Sequence, residues 1–281
     1  MSDLVDRIEA RAGELPPAER RVAEIVLADP GAAAFATVAE LGRRAATSGA
    51  TVVRLAERLG YDGWVALQAE ARAGLGQQLR PATERIREAA RGDVLTQTAE
   101  REAANVRRTL AAVDRDAFAR AVGLLADATR TVHVLAGDAE AGIARFLADG
   151  LDLLRPLVRP LSGTAPTVAR SLAHASRRDV LVVIDLRRYE RWVLDAVDQA
   201  HAAGLVIVAI TDSVLSPLAQ HAEVTFAVTA EGAGPFDSHV GTLALVNALV
   251  SGVARTRRRP AAARLDRVEQ AWRRADALTT P

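Results

Sequence analysis

Five short apolar runs in the second half of the chain, at residues 131–136, 157–161, 179–186, 205–212 and 223–228, leave few folds open. Two of them, DVLVVIDL and LVIVAITD, are nearly continuous in Val, Ile and Leu. A strand with one wet face alternates apolar and polar residues, whereas a continuous run belongs to a strand covered on both faces. The stretches between the runs have helical spacing, and strands that alternate with helices build a parallel sheet. The expected architecture is α/β, doubly wound and flavodoxin-like, with a five-stranded parallel sheet. In such sheets a ligand sits beyond the carboxyl ends of the strands.

The first half has a different pattern. Residues 2–79 read as all-helical. Leu4, Ile8 and Ala12 form one stripe. Pro16-Pro17 marks a helix start, and Val22, Ile25 and Val26 line the next apolar face up to Asp29-Pro30-Gly31. Residues 37–61, TVAELGRRAATSGATVVRLAERLGY, then read as two short helices joined by a tight turn. Thr37 is placed as an N-cap with Glu40 completing a capping box. Val38, Leu41 and Ala45 share a face, Ala46-Thr47 break the helix, and Ser48 caps a second one. Val52, Leu55, Ala56 and Leu59 line its inner side, and Gly60 closes it. A last helix follows Tyr61-Asp62-Gly63, with Trp64, Leu67 and Ala71 inward as core residues.

A helix-turn-helix of this kind sets its second helix in the DNA major groove. The expected contacts are Thr37 and the first turn of the second helix, Ser48, Gly49, Ala50 and Thr51. Arg54 would reach bases or phosphates, and Arg43 and Arg44 would anchor the backbone. A helical hairpin in some other α-domain would show the same periodicity.

The expected domains are a helix-turn-helix domain at 1–79, a polar helical linker at 80–109 and an α/β domain at 110–281. The chain has 281 residues, 49% of them apolar, and a formal net charge of +1. It has no lysine and no cysteine, so disulfides, thiol chemistry and cysteine-based zinc sites are excluded. No His-x-x-x-His, acidic metal cluster, Walker loop or GxGxxG is present, so neither a metal nor a cofactor is expected. The apolar runs are too short to span a bilayer and no signal peptide is evident, so a cytoplasmic protein without a membrane partner is expected. Residues 1–79 carry nine Arg against eleven acidic residues, but 37–60 is locally basic. A single copy should therefore bind DNA weakly, and a homodimer or homotetramer on a repeated operator would compensate. Residues 255–281 carry eight Arg against three acidic residues, with Leu265, Val268 and Trp272 on one helical face. That pattern fits either a nucleic-acid-binding tail or a terminal helix packed across a subunit interface.

The order of parts resembles the RpiR-type (MurR/RpiR) bacterial transcription regulators, which join an N-terminal helix-turn-helix domain to a C-terminal sugar isomerase (SIS) domain that binds an effector. LPPAERRVAEIVLADP (15–30), TVAELGRRA (37–45) and SGATVVRLAERLGYDGW (48–64) carry the N-terminal resemblance, including the family's Ser-x-x-Thr-Val-x-Arg as Ser48, Thr51, Val52 and Arg54. The family's usual alanine is Gly42 here, a helix penalty of ~1 kcal/mol. VHVLAG, RRDVLVVID, HAAGLVIVAITDSVLSPLAQHAEVTFAV and DSHVGTLALVNALV carry the SIS resemblance over roughly 110–255.

The family's phosphate loops are not kept. Gly-x-Gly-x-Ser aligns with Ala136, Gly137, Asp138, Ala139 and Glu140, and Ser-x-Ser-Gly-x-Thr aligns with Asp185, Leu186, Arg187, Arg188, Tyr189 and Glu190. Hydroxyls and close backbone N–H groups normally cradle a phosphate there. Ionised Glu140 and Asp185 would repel one, while Arg187 and Arg188 add positive charge. The expectation is either an internal Arg–carboxylate network or a pocket for an anionic or zwitterionic metabolite, lined by Asp138, Glu140, Asp185, Arg187 and Arg188. Ser238 matches a polar position of the family's effector cleft, although Asp237 or Ser238 would serve equally as an N-cap. His133 is expected as a satisfied or surface histidine. The resemblance implies a ligand-responsive, sequence-specific regulator that binds a double-stranded DNA operator and is not an enzyme. The alternative is a SIS-fold sugar-phosphate isomerase or lyase.

Overall fold

The computed structural model describes residues 2–28, 30–78, 82–88, 92–214 and 216–279. It divides into two compact units. One comprises Met1–Ala112, Ser213–Ser216 and Ala227–Ser238; the other comprises Val113–Asp212, Pro217–Phe226 and His239–Pro281.

The first unit is helical: α1 (Ser2–Arg11), α2 (Pro17–Ala28), α3 (Pro30–Phe35), α4 (Val38–Arg44), α5 (Gly49–Arg58), α6 (Gly63–Gln78), α7 (Ala82–Arg85) and α8 (Val94–Ala112). Leu4, Ile8, Val22, Val26, Leu41, Val52, Leu55, Leu59, Trp64 and Leu67 form its core, where the apolar stripes read from the sequence face one another; the Ala12 side chain, placed on the first stripe, lies outside the described residues. The short helix α3 is an addition to the sequence reading, which treated Pro30-Gly31 only as a break. A proline at the first helical position has no N–H to waste and its φ is already helical, so Pro30 starts a helix here. On α8, Asn105 and Thr109 are fully buried and hold the strap 227–238. Asn105 donates to the Glu231 carbonyl at 2.8 Å and accepts the Glu231 N–H, and Thr109 accepts the Thr229 N–H at 3.0 Å.

The second unit carries α9 (Arg115–Ala126), β1 (Val132–Ala136), α10 (Ala141–Leu154), β2 (Val158–Pro160), α11 (Ala165–Ala173), β3 (Val180–Ile184), α12 (Arg191–Ala202), β4 (Val206–Thr211), β5 (Val224–Ala227), α13 (Val240–Thr256) and α14 (Arg258–Arg274). The sheet is parallel with strand order β2-β1-β3-β4-β5, and every residue of β1 and β3 is buried. The five runs are its five strands. β2 is the shortest and lies at an edge, where Pro160 costs no ladder bond. The chain leaves β1 towards β2 on one side and returns to β3 on the other. The loops after β1 and β3 therefore flank the point where strand order reverses.

Two buried polar groups fix the amino ends of the strands. Arg155 is fully buried and donates to the carbonyls of Leu125, Arg130 and Pro156; burial and the nearby Arg257 charge lower its pKa to about 10. His133, on β1, is 1% exposed, and its Nε2 lies 3.4 Å from the Asp179 carboxylate. Burial lowers the His133 pKa against the pull of Asp179.

Candidate functional site

The first candidate site is the α4–turn–α5 segment. Thr37 and Glu40 form the reciprocal capping box: the Glu40 N–H donates to Thr37 Oγ1 and the Thr37 N–H donates to Glu40 Oε2, at 3.2 and 2.8 Å. The turn closes on Ala46, whose φ is +48°. The Thr47 N–H reaches the Gly42 carbonyl and the Ala46 N–H reaches that of Arg43, the paired closure of a helix that ends in a left-handed residue. Arg21 of α2 donates to the carbonyls of Ala45 and Ala46 and locks the turn onto the core. A Cβ on Gly42 would stand 3.0–3.1 Å from the backbone of Thr47, Ser48 and Gly49. The glycine is thus the residue that lets α4 and α5 approach closely, and a helix penalty alone does not account for it.

The expected DNA-contacting residues do not all face solvent. Thr37, Arg43, Arg44, Ser48, Ala50 and Arg54 are exposed, and Gly49 is half-buried. Thr51 is only 3% exposed, which corrects the expectation that its side chain meets DNA. Its hydroxyl is the hub of the turn: Thr47 Oγ1 and Arg54 donate to it at 3.0 Å each, and Ser48 Oγ lies 3.1 Å away. Ser48 occupies the N-cap position but makes no capping bond, because its hydroxyl faces Thr51 instead of the helix N–H groups. Glu19 of α2, buried at 4%, accepts Arg58 Nε at 2.7 Å, and Arg54 Nε stands 3.9 Å from its other oxygen.

The second candidate site lies where the sheet order reverses. The loop after β1 runs through Gly137 into a 3-10 turn at Asp138–Glu140 and then α10, and the loop after β3 runs from Asp185 to Glu190, the N-cap residue of α12. Three carboxylates converge on Gly137: a Cβ there would stand 2.9 Å from Asp185 Oδ1 and 3.0 Å from both Glu140 Oε2 and Glu190 Oε1. Glu190 joins the two loops. One of its oxygens accepts the Asp138 N–H at 2.5 Å, the other accepts the Trp192 indole N–H, and its own N–H donates to Asp185 Oδ2 at 2.9 Å. Beyond β4, Asp212 accepts the Tyr189 hydroxyl at 2.6 Å.

Burial raises the Asp185 pKa to about 6; the Glu190 and Asp212 charges add to the rise, and the N–H bonds from Glu190 and Leu186 oppose it. Asp138, Glu140, Asp185 and Arg187 lie on these two loops, with Glu140 and Asp185 buried, Asp138 exposed and Arg187 half-buried. Arg188 is exposed with φ +69° and makes no ion pair among the described residues. Ser238 belongs to the first unit, where its hydroxyl donates to Glu102 of α8. Asp237 pairs with Arg85 at 2.7 Å, and the N-cap position of α13 is held by His239.

The sequence reading missed Glu190 as a site residue. Its spacing, five residues after a strand-end aspartate and one before a helix, reads as an ordinary helix-start acid and hides the reach across to the other loop. Among the described residues, no group of three or more His, Asp or Glu is placed to hold a metal, and no helix is long and apolar enough to cross a membrane.

A family model of the helix-turn-helix domain of the rpiR family matches residues 2–78, and one of the SIS domain matches residues 124–252. The HTH-type transcriptional regulator HexR of Pseudomonas aeruginosa is 26% identical over 265 residues, 90% of each chain. The sugar isomerase domain of an RpiR transcription factor from Sphaerobacter thermophilus superposes with a TM-score of 0.59 at 28% identity, covering 62% of this chain and 97% of that one. The Vibrio vulnificus NanR protein complexed with ManNAc-6P shares the fold over 99% of this chain and 100% of its own, with a TM-score of 0.60 at 21% identity. A helix-turn-helix unit followed by a doubly wound SIS unit defines a class of DNA-binding transcription regulators. The chain belongs to the RpiR family of these regulators.

Proposed function

We propose that this protein is a ligand-responsive, sequence-specific regulator in which α5 reads an operator and the SIS sheet edge takes the effector. The observation that carries the DNA half is the turn network. Thr51, Thr47 and Ser48 fix the first turn of α5, so that Arg54 projects from an ordered surface with Arg43 and Arg44 exposed nearby. Arg43, Arg44 and Arg54 are assigned to phosphates and base edges, and Ser48, Gly49, Ala50 and Thr37 to close approach. Two or four copies on a repeated operator supply the affinity that one locally basic helix lacks. DNA as the partner places the protein in the cytoplasm.

For the effector, the supporting observation is the Glu190 carboxylate on the Asp138 N–H. An anion bound at the head of a helix needs free N–H groups and no competing negative charge. Here a side chain of the same chain already accepts that N–H, with Asp185 and Glu140 packed beside it. The NanR protein is complexed with ManNAc-6P, and the loops of this chain are built for a different head group: a metabolite carrying an ammonium group. The same three carboxylates argue against catalysis on a sugar phosphate, and no catalytic residue is assigned.

The test is a fluorescence-anisotropy titration against the DNA upstream of the protein's own gene, with random duplex as control, at two salt concentrations. Operator binding at least ~1,000-fold tighter than the control is expected, with a ~10-fold or greater loss in Arg54→Ala. Equal affinity for both duplexes would refute the regulator reading. A thermal-shift screen of sugar phosphates, amino acids and polyamines tests the effector half, and stabilisation by a sugar phosphate would contradict it.

A further inference from the structure

The last helix carries charge that neither unit's packing uses. The chain has a net charge of +1, yet residues 255–281 hold eight arginines against three acidic residues, so the rest of the protein is net negative. α14 lies beyond the 124–252 span of the SIS match. Its inner side is settled: Ala261 is buried, Val268 and Trp272 are half-buried, and Arg264 donates to the Asp152 carbonyl and carboxylate of α10. At 100° per residue, Arg259, Arg267, Arg273 and Arg274 fall on the arc opposite those residues, and Arg258 lies at its border, beside Glu269. All five are exposed, and none has an ion-pair partner among the described residues. Asp266 and Glu269 share the arc, which leaves it at net +3 along a helix of roughly 25 Å.

Two of these arginines sit where helix physics disfavours them. Arg258 and Arg259 open α14, and no acidic residue lies in its first turn. The positive end of the helix dipole opposes cations there, and the two adjacent guanidinium groups add to that charge. A bound polyanion removes that cost. A second copy of the same face would add to it, and an apolar partner would have to desolvate the guanidinium groups.

We infer that the outer face of α14 is a second, sequence-independent DNA-binding surface, which takes the phosphate backbone of duplex DNA. Duplex DNA is chosen among polyanions because the chain is read above as a DNA-binding regulator, and the inference rests on that reading. Guanidinium groups that replace condensed counterions add affinity for any sequence and steepen its salt dependence.

The test compares the full chain with Arg258→Gln/Arg259→Gln/Arg267→Gln/Arg273→Gln/Arg274→Gln, in which glutamine keeps the length and helix propensity. Operator and random duplexes are titrated from 50 to 200 mM salt, with circular dichroism to confirm the fold. Affinity for both duplexes is expected to fall by a similar factor, roughly 10–100-fold, and the log–log salt slope to shrink by about 3. If the five-site variant fails to fold, Arg267→Gln/Arg274→Gln gives a proportionally smaller effect.

Unchanged random-duplex binding and slope would overturn the inference while leaving the operator reading intact. Operator binding no tighter than random, with both lost in the variant, would sink the operator reading and sustain this one. No duplex binding even at 50 mM salt would overturn both. Binding to phosphatidylserine vesicles that the variant loses, with DNA affinity unchanged, would assign the face to a membrane surface and overturn the inference.

Discussion

The Glu190 carboxylate of the loop after β3 accepts the Asp138 backbone N–H of the loop after β1, and its second oxygen accepts the Trp192 indole. One side chain thus closes the carboxyl edge of the sheet at the point where ligands of doubly wound folds gather. Replacing Glu190 by alanine strips two donors of their acceptor. A loss of about 1–2 kcal/mol is expected in the SIS unit, read as a lower melting temperature. Glu190→Gln retains an acceptor oxygen for one donor and should lose about half as much. Equal stability of all three proteins would show that the contact is incidental.

Asp185 makes the stability of the same unit depend on pH in an unusual direction. Its folded pKa, about 6, lies above the unfolded value of 3.8. The folded state therefore holds the proton more tightly, and its contribution is fully present below about pH 4. It is lost as pH rises through 6, because ionisation then places a charge in a buried site beside Glu190 and Asp212. Asp185→Asn should match the parent near pH 4 and exceed it by about 1–3 kcal/mol above pH 6.5. Urea melts at four pH values give the comparison, and a constant difference across the range would refute it.

The strands and the hairpin core were legible because their signal is periodic. Val180–Ile184 and residues 206–210 announce two-sided burial by having no polar residue, and Leu41, Val52, Leu55 and Leu59 recur at helical spacing. What could not be read was direction and partnership. Thr51 sits in the first turn of α5, where the sequence pattern predicts a DNA contact, yet three neighbouring polar groups draw its hydroxyl inward. Ser238 was placed by its position before α13, whereas Glu102, 136 residues earlier, decides where its hydroxyl goes. Both are long-range or crowded hydrogen-bond choices, and such choices leave no periodicity in a sequence.

The turn between α4 and α5 offers a stabilising change. Ala46 and Gly60 occupy equivalent positions after α4 and α5, both at positive φ, and both are followed by the same paired backbone closure. At Gly60 the left-handed conformation costs nothing sterically; at Ala46 the Cβ meets the neighbouring carbonyl. Ala46→Gly should stabilise the helical unit by about 0.5–1 kcal/mol, and Gly60→Ala should destabilise it by at least as much. Differential scanning calorimetry of the two variants checks the sign, and a lower melting temperature for Ala46→Gly would contradict the argument.

Arg54 and Arg58 lie one helical turn apart on α5 and should separate function from stability. Glu19 is buried and leans on Arg58 at 2.7 Å, whereas Arg54 stands 3.9 Å away and is more than half exposed. Arg58→Ala leaves a buried carboxylate with only a distant partner, so a loss of about 2–3 kcal/mol is expected. Adding Glu19→Gln to that variant should recover much of it, since the uncompensated charge goes too. Arg54→Ala leaves the Glu19–Arg58 pair whole and should stay within about 0.5 kcal/mol of the parent while weakening operator binding. A double-mutant cycle on Glu19 and Arg58 measures the coupling. Coupling near zero would mean that Glu19 is held by the fold around it and not by the arginine.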